Sequence, residues 1–372
     1  MLKENISLNQ LAAVIIGFNL GSTLVVVMGL EAYEDAWITV LFSTLLGLII
    51  TMFYFSINEL APDKNLFEIV EFCMNRPIAI GFSFLYLIYF LYIACRVMRD
   101  FGELTSSFIL PITPIEVTVF TLVLVIGYII YLGIEVLGRT TEIFTPYSFI
   151  FLSLLIIFLF ASGNLSVSKA LPMLAKGINP IISGLFPYEL NRPWGEMIVF
   201  TCIFPYLTNF KASKMVVGVT VTVSGLLLTL STFIIIASLG SNVAVRSSFP
   251  LLSATRLISI ANFIERIDAL ALFIITLGII VKGSILLFAA LKGLEYIFRL
   301  PYRYFIIPMT CIISMFSIFI SLSYIDHIQE GLKAIPFLLH IPLQFFLPSF
   351  LMFMLLVKKF KKQNDKQSKS LN

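Results

Sequence analysis

The chain has 372 residues, of which 59% are hydrophobic and 12% charged, with a mean hydropathy of +1.00. A soluble protein of this length cannot hide so much apolar surface, so the composition excludes the globular classes and leaves a polytopic membrane protein. The net charge of +4 gathers towards the C-terminus and reads as membrane topology, not as a surface for nucleic acid.

The opening "MLKENISLNQ" runs into the first apolar stretch without a small-residue cleavage site, so no removed signal peptide is expected. Ten apolar runs follow, at residues 11–30, 36–57, 78–98, 115–134, 143–162, 196–210, 215–239, 268–290, 304–324 and 335–357. Most have about the 20 residues that a helix needs to cross a hydrocarbon core. They are long and do not alternate, which makes them helices and not barrel strands. The expectation is an all-α membrane protein with ten transmembrane helices in one domain, residues 1–357. With the N-terminus inside, the inner segments hold fifteen Lys and Arg against eight outside, so both termini are expected to be cytoplasmic. The tail 358–372, "KKFKKQNDKQSKSLN", is expected to be a disordered basic segment at the anionic lipid surface.

Within the first run, "IIGFNLGSTLVVV" places Gly17, Asn19, Gly21, Ser22 and Thr23 where a lipid-facing helix avoids such residues. The sixth run, "EMIVFTCIFPYLTNF", is short at about 22 Å of straight helix. Its Pro205 has no N–H for the carbonyl of Thr201, which is thereby freed at membrane depth. If ten spans divide five and five, into halves at about 1–162 and 163–357, spans 1 and 6 correspond. An odd number of spans per half inverts one half relative to the other, and paired interruptions point to two broken helices framing a binding site. "GFNLG" is also Gly-x-x-x-Gly, a close-packing motif for ordinary helix pairs, and the two readings coexist.

The chemistry of such a site follows from helix ends. N–H groups near Gly21, Ser22 and Thr23 suit a carboxylate; freed carbonyls near Gly17, Thr201 and Cys202 suit an ammonium group or a cation. Together they describe a small zwitterion, an amino acid. Phe18, Phe204 and the aromatic stripe of span 3 (Tyr86, Tyr89, Tyr92) are the expected side-chain pocket, although a tyrosine stripe also serves packing. Arg96 and Lys282 are the intramembrane cations. Arg96 is expected to snorkel outward or pair with Asp100 or Glu103. Lys282 reads either as snorkelling inward or as a tethered cation donating to freed carbonyls of span 1. Glu135–Arg139 and Glu265–Arg266–Asp268 lie at span ends and read as interface salt bridges. Cys73, Cys95, Cys202 and Cys311 read as small buried residues without disulfide or metal spacing. His327 and His340 fit neither a metal pair nor a catalytic couple, and no cofactor motif or catalytic constellation emerges. An enzyme is not expected.

With these segments in place, the chain resembles the endospore germination permease family, the B subunits of spore germinant receptors, a branch of the amino acid–polyamine–organocation superfamily. The resemblance rests on "ISLNQLAAVIIGFNLGSTLV", on Thr113-Pro114 with Gly133-Ile134-Glu135 and Arg139, and on Phe249-Pro250 with "ERID" at 265–268. It implies a receptor role beside an A subunit and a lipoprotein C subunit in the spore inner membrane, with an amino acid or sugar as germinant. Two departures are Met28-Gly29 after span 1 and Lys282 in span 8. A self-sufficient amino acid transporter coupled to H⁺ or Na⁺ is the alternative, and a scaffold subunit without binding is a third reading.

Overall fold

The computed structural model describes residues 4–27, 29–259 and 267–370. Among these residues nine helices are long and apolar enough to cross a membrane. In chain order the elements are α1 (Leu8–Val25), α2 (Ala36–Leu60), a short α3 (Leu66–Cys73), α4 (Arg76–Phe108), α5 (Ile115–Leu132), α6 (Ile134–Ala161), α7 (Phe210–Leu239), α8 (Asp268–Phe298), α9 (Ile306–Phe319), a short α10 (Tyr324–Lys333) and α11 (Leu347–Ser370). Short irregular helices join them. α1 starts on a capping box, in which Ser7 N–H donates to Gln10 Oε1 (3.0 Å) and Gln10 N–H to Ser7 Oγ (3.2 Å). Gly133, at φ +115°, separates α5 from α6.

The stretch Gly17–Thr23 is not a break. α1 runs through it unbroken, and the physical reason is the neighbour it meets. A Cβ on Gly21 would lie 2.5 Å from the carbonyl oxygen of Gly278 in α8, and a Cβ on Gly278 would lie 2.3 Å from Gly21 Cα. Gly17 faces Val281 one turn away. The glycines let the backbones of α1 and α8 touch, which is the packing use of Gly-x-x-x-Gly. The helix ends at Val25, and Gly29 (φ +75°) turns the chain towards α2.

The sixth run is broken, and more thoroughly than its one proline requires. It is not among the nine spans; residues 185–206 form a wide-coiled segment (Leu185–Trp194), a 3-10 helix (Gly195–Cys202) and a last turn (Phe204–Tyr206). Pro187, Pro193 and Pro205 each remove a donor. Phe186 and Arg192, each directly before a proline, are extended. Gly195 is required because a Cβ there would meet Gln344 Oε1 at 2.1 Å, and Gly47 of α2 because Trp194 lies flat against it.

Other elements depart from expectation in length. α4 continues to Phe108, so Arg96 sits within a helix and is buried, and does not snorkel. α6 starts at Ile134 instead of residue 143, placing the exposed Glu135–Arg139 pair (2.5 Å) inside it. The tail is helical to Ser370, because 358–370 contains no Gly or Pro and is rich in Lys and Gln. Lys358 anchors it by donating to the carbonyl of Phe72, with its ammonium 4.7 Å from that ring. Cys73, Cys95 and Cys202 are buried, but Cys311 is exposed on α9. Glu265 and Arg266 lie outside the described residues, as does Met28; Asp268 approaches Arg256 at 3.9 Å.

The α1–α8 contact yields a prediction. Gly21→Ala should lower stability by about 1–3 kcal/mol, because the clash is with backbone that cannot rotate away. Thermal unfolding in detergent checks this, and an unchanged midpoint for Gly21→Ala would contradict the contact.

Candidate functional site

Two cavities open at opposite ends of α1. One, of about 810 Å³, lies near its N-terminal end and is lined by Glu4, Glu68, Arg76, Pro205, Lys292 and Tyr302, among others. The other, of about 510 Å³, lies at its C-terminal end, where Val27, Glu31, Tyr33, Tyr188, Arg246 and Tyr324 contribute.

Between them α1, α8 and the broken segment meet in a closed polar contact. Lys282 of α8 is fully buried and pairs with Glu196, itself 2% exposed, in the 3-10 part of the broken segment. The ammonium also donates to Ser22 Oγ of α1 (2.7 Å) and lies 5.1 Å from the Phe18 ring centroid. Phe18 meets Phe200 edge-on at 5.2 Å, and Phe204 packs at 5.1 Å on Phe55. Lys282 therefore ties three elements together. It reaches α1 through a side-chain hydroxyl and not through a freed carbonyl, because α1 is unbroken and its carbonyls are already used.

The other expected site residues divide. Asn19 Nδ2 donates to Ser224 Oγ of α7 at 2.9 Å. Thr23 lies near the C-terminal end of α1, against Glu189 and Ser231 around a small void. The Thr201 carbonyl is free of helical bonding, as its proline requires, but accepts from Asn58 Nδ2 at 3.2 Å. Cys202 is buried and Pro205 lines the cavity at the N-terminal end of α1. Gly17 and Gly21 face α8. Tyr89 joins a separate buried cluster: its hydroxyl meets His340 Nδ1 at 2.8 Å and accepts from Gln344 Nε2 at 2.7 Å. Gln344 also donates to the Asn191 carbonyl (3.2 Å), while Tyr54 donates to the Gln344 carbonyl (2.7 Å). Tyr92 accepts from Arg96 at 3.2 Å.

Arg96 belongs to a second charged cluster. It donates to the carbonyl of His327, whose Nε2 is 3.1 Å from Asp100 Oδ1. Burial holds the His327 imidazole below its usual range, although Asp100 pulls the other way. Arg99 pairs with Glu103 at 2.6 Å and donates to the Ile318 carbonyl at 2.9 Å. Among the described residues no group of three or more His, Cys, Asp or Glu could hold a metal ion.

Glu196 is the residue that motif reading overlooked. A lone lysine deep in one apolar run demands an anion in another, and Glu196 opens the sixth run directly after Pro193-Trp194-Gly195.

A bundle of nine long apolar helices among the described residues, with the irregular segment 185–206 packed inside it, defines a multi-pass membrane protein with a transporter-like fold. The crystal structure of a mutant of the Eremococcus coleocola manganese transporter matches at a TM-score of 0.56 with 14% identity, over 94% of this chain and 78% of that one, which is a likeness of fold. The sequence profile of the family described as "Spore germination protein" matches residues 5–328, and the chain belongs to this spore germination permease family. It is 33% identical to Spore germination protein KB of Bacillus subtilis (strain 168), covering 98% of both chains. Spore germination protein XB of Bacillus anthracis is 24% identical over 75% of this chain and 78% of its own.

Because both partners are buried, removing one leaves an uncompensated charge. Lys282→Met alone should cost about 3–5 kcal/mol, and adding Glu196→Gln should recover most of that loss. A double-mutant cycle read by thermal unfolding checks it; additive losses would mean that the two groups do not depend on each other.

Proposed function

We propose that this chain is the permease-like, ligand-sensing B-type subunit of a spore germinant receptor. It works beside an A-type subunit and a lipoprotein C-type subunit in the spore inner membrane, with both termini cytoplasmic. A small germinant, an amino acid or a sugar, binds between α1 and the broken segment 185–206, and its binding triggers germination. Family membership supports the biological setting. The observation that carries the mechanism is the buried Lys282–Glu196–Ser22 contact, which joins α1, α8 and the broken segment.

A ligand that separates α1 from the segment must stretch or replace that contact, so its binding energy is transmitted to α8 and onward to a partner. Part of the packing order supports the inverted-repeat reading: α1 packs on α6 and α7, and the broken segment on the run opening at Pro336 and on α2, pairs that an exchange of halves relates.

The second reading, an H⁺- or Na⁺-coupled amino acid transporter, is favoured by the pair of cavities at opposite ends of α1, the arrangement needed for alternating access. Reconstituted protein separates the two. The sensor gives no uphill uptake of amino acid into proteoliposomes, whereas a transporter accumulates it.

Spores lacking this chain should lose their germinant response and regain it with the wild-type gene. The Lys282→Met/Glu196→Gln variant, at equal protein level, should need at least about tenfold more germinant, corresponding to about 1.4 kcal/mol of lost coupling. A normal dose response from that variant would place the trigger elsewhere.

A further inference from the structure

Next to the cavity at the C-terminal end of α1 the structure holds a void of single-water size, lined by Thr23 and Val27 of the α1 end, Val40 of α2, Glu189 of the broken segment, and Leu228 and Ser231 of α7. Glu189 is 1% exposed. Its Oε2 is 3.3 Å from the Ser43 hydroxyl, and its Oε1 has no hydrogen-bond partner among the described residues. Thr23 Oγ1 and Ser231 Oγ, on two other elements around the same void, also have none. Three buried oxygens without partners, one on a carboxylate and two on hydroxyls, thus line one small space.

The charge balance points the same way. No salt bridge reaches Glu189 among the described residues. Lys282 is committed to Glu196, and Arg192, on the same segment, turns to the Gly331 carbonyl at 3.5 Å. A buried carboxylate without a counter-charge is costly, so Glu189 is balanced either by taking up a proton or by a cation that enters the void.

A primary ammonium group carries one positive charge and three N–H donors, is about the size of a water molecule, and accepts nothing. It can donate to the carboxylate oxygen and to both hydroxyl oxygens at once. A water molecule can also satisfy the three groups, but only the ammonium supplies the charge that balances Glu189.

The void also has the right neighbour. Val27 lines both it and the cavity at the C-terminal end of α1, and Gly29, which lines the same cavity, comes so near Glu189 that a Cβ there would lie 3.2 Å from Oε1. A molecule in the cavity can therefore direct a terminal amine towards Glu189. Arg246 in that cavity offers the charge a carboxylate needs, and Tyr33, Tyr188 and Tyr324 offer faces for its body.

We propose that Glu189, Thr23 and Ser231 form an ammonium subsite and that the ligand is a primary amine, with an amino acid as the fitting class. The assignment rests on the ligand-sensing reading above and narrows it, since it disfavours a sugar. Its test uses purified full-length protein in detergent, with methylammonium chloride as probe against sodium chloride and tetramethylammonium chloride at matched ionic strength.

Methylammonium should raise the unfolding temperature of the wild type in a saturable way, and tetramethylammonium, which has no N–H and is too large, should not. Glu189→Gln, nearly isosteric, should abolish the shift. If that variant does not fold, Ser231→Ala, which keeps the carboxylate and removes one acceptor, should raise the half-saturating methylammonium concentration about tenfold. An equal shift in Glu189→Gln, an unmoved midpoint in Ser231→Ala, or no shift in the wild type overturns the subsite. So does a sodium-specific shift lost in Glu189→Gln, which would assign the oxygens to an inorganic cation. None of these results depends on germination, so failure of the receptor reading, seen as normal germination without this chain, is scored separately.

Discussion

A chain that leaves the regular α-helix inside an apolar bundle must find its hydrogen bonds in other elements, and this constraint organises the protein around residues 185–206. The donors come from side chains and backbone far away in sequence. Gln344 serves the Asn191 carbonyl, Tyr54 lies 3.3 Å from that of Gly195, Asn58 takes that of Thr201, and the Ile6 N–H takes that of Tyr206 at 2.8 Å. Polar residues in α2 and near the start of α11, out of place in apolar helices, are explained by this demand. The broken segment is therefore not loosely held. It is fixed by contacts that exist only while its neighbours stay in place.

Charge inside the bundle follows the same rule of matched partners. Lys282 and Glu196 neutralise each other within the bundle, and Arg96, Asp100 and His327 form a second, mixed group. Such pairs contribute little net stability, because each charge has been taken from water. What they provide is dependence: a buried ammonium with one carboxylate and one hydroxyl has no second arrangement of comparable energy close by. The position of α8 relative to α1 and the broken segment is thereby tied to the contacts of one side chain.

Much of this was legible in the chain itself. Nine of the ten apolar runs coincide with the long helices of the described residues, and the remaining one reveals its irregularity through Pro205 and its short length. The error at Gly17–Thr23 is instructive, because glycine serves both to break a helix and to let two helices touch. Which use applies depends on Gly278, more than 250 residues away, and only the fold brings it near. Lys282 stood out because cations are rare in such runs, but its partner did not. Glu196 lies at the edge of its run, where a carboxylate passes as an interface residue, until the irregular coil of 185–206 carries it inward. His327 and His340 lacked any motif spacing, since their partners Asp100 and Tyr89 come from another helix altogether. The end of α4 was misplaced because charged residues signal water by default, whereas Arg96, Arg99 and Asp100 are covered by other parts of the same chain.

The bare contact between Gly21 and Gly278 has a mechanical consequence. Where side chains interdigitate, two helices resist sliding and twisting because each knob must leave its hole. Where backbone meets backbone, there is nothing to unseat: the helices are held close by dispersion yet turn against one another with little hindrance. The crossing of α1 and α8 thus behaves as an axle. Tilting one end of α1 swings the other the opposite way about this point, and the Lys282–Ser22 hydrogen bond, one residue from the axle on α1, moves least of all.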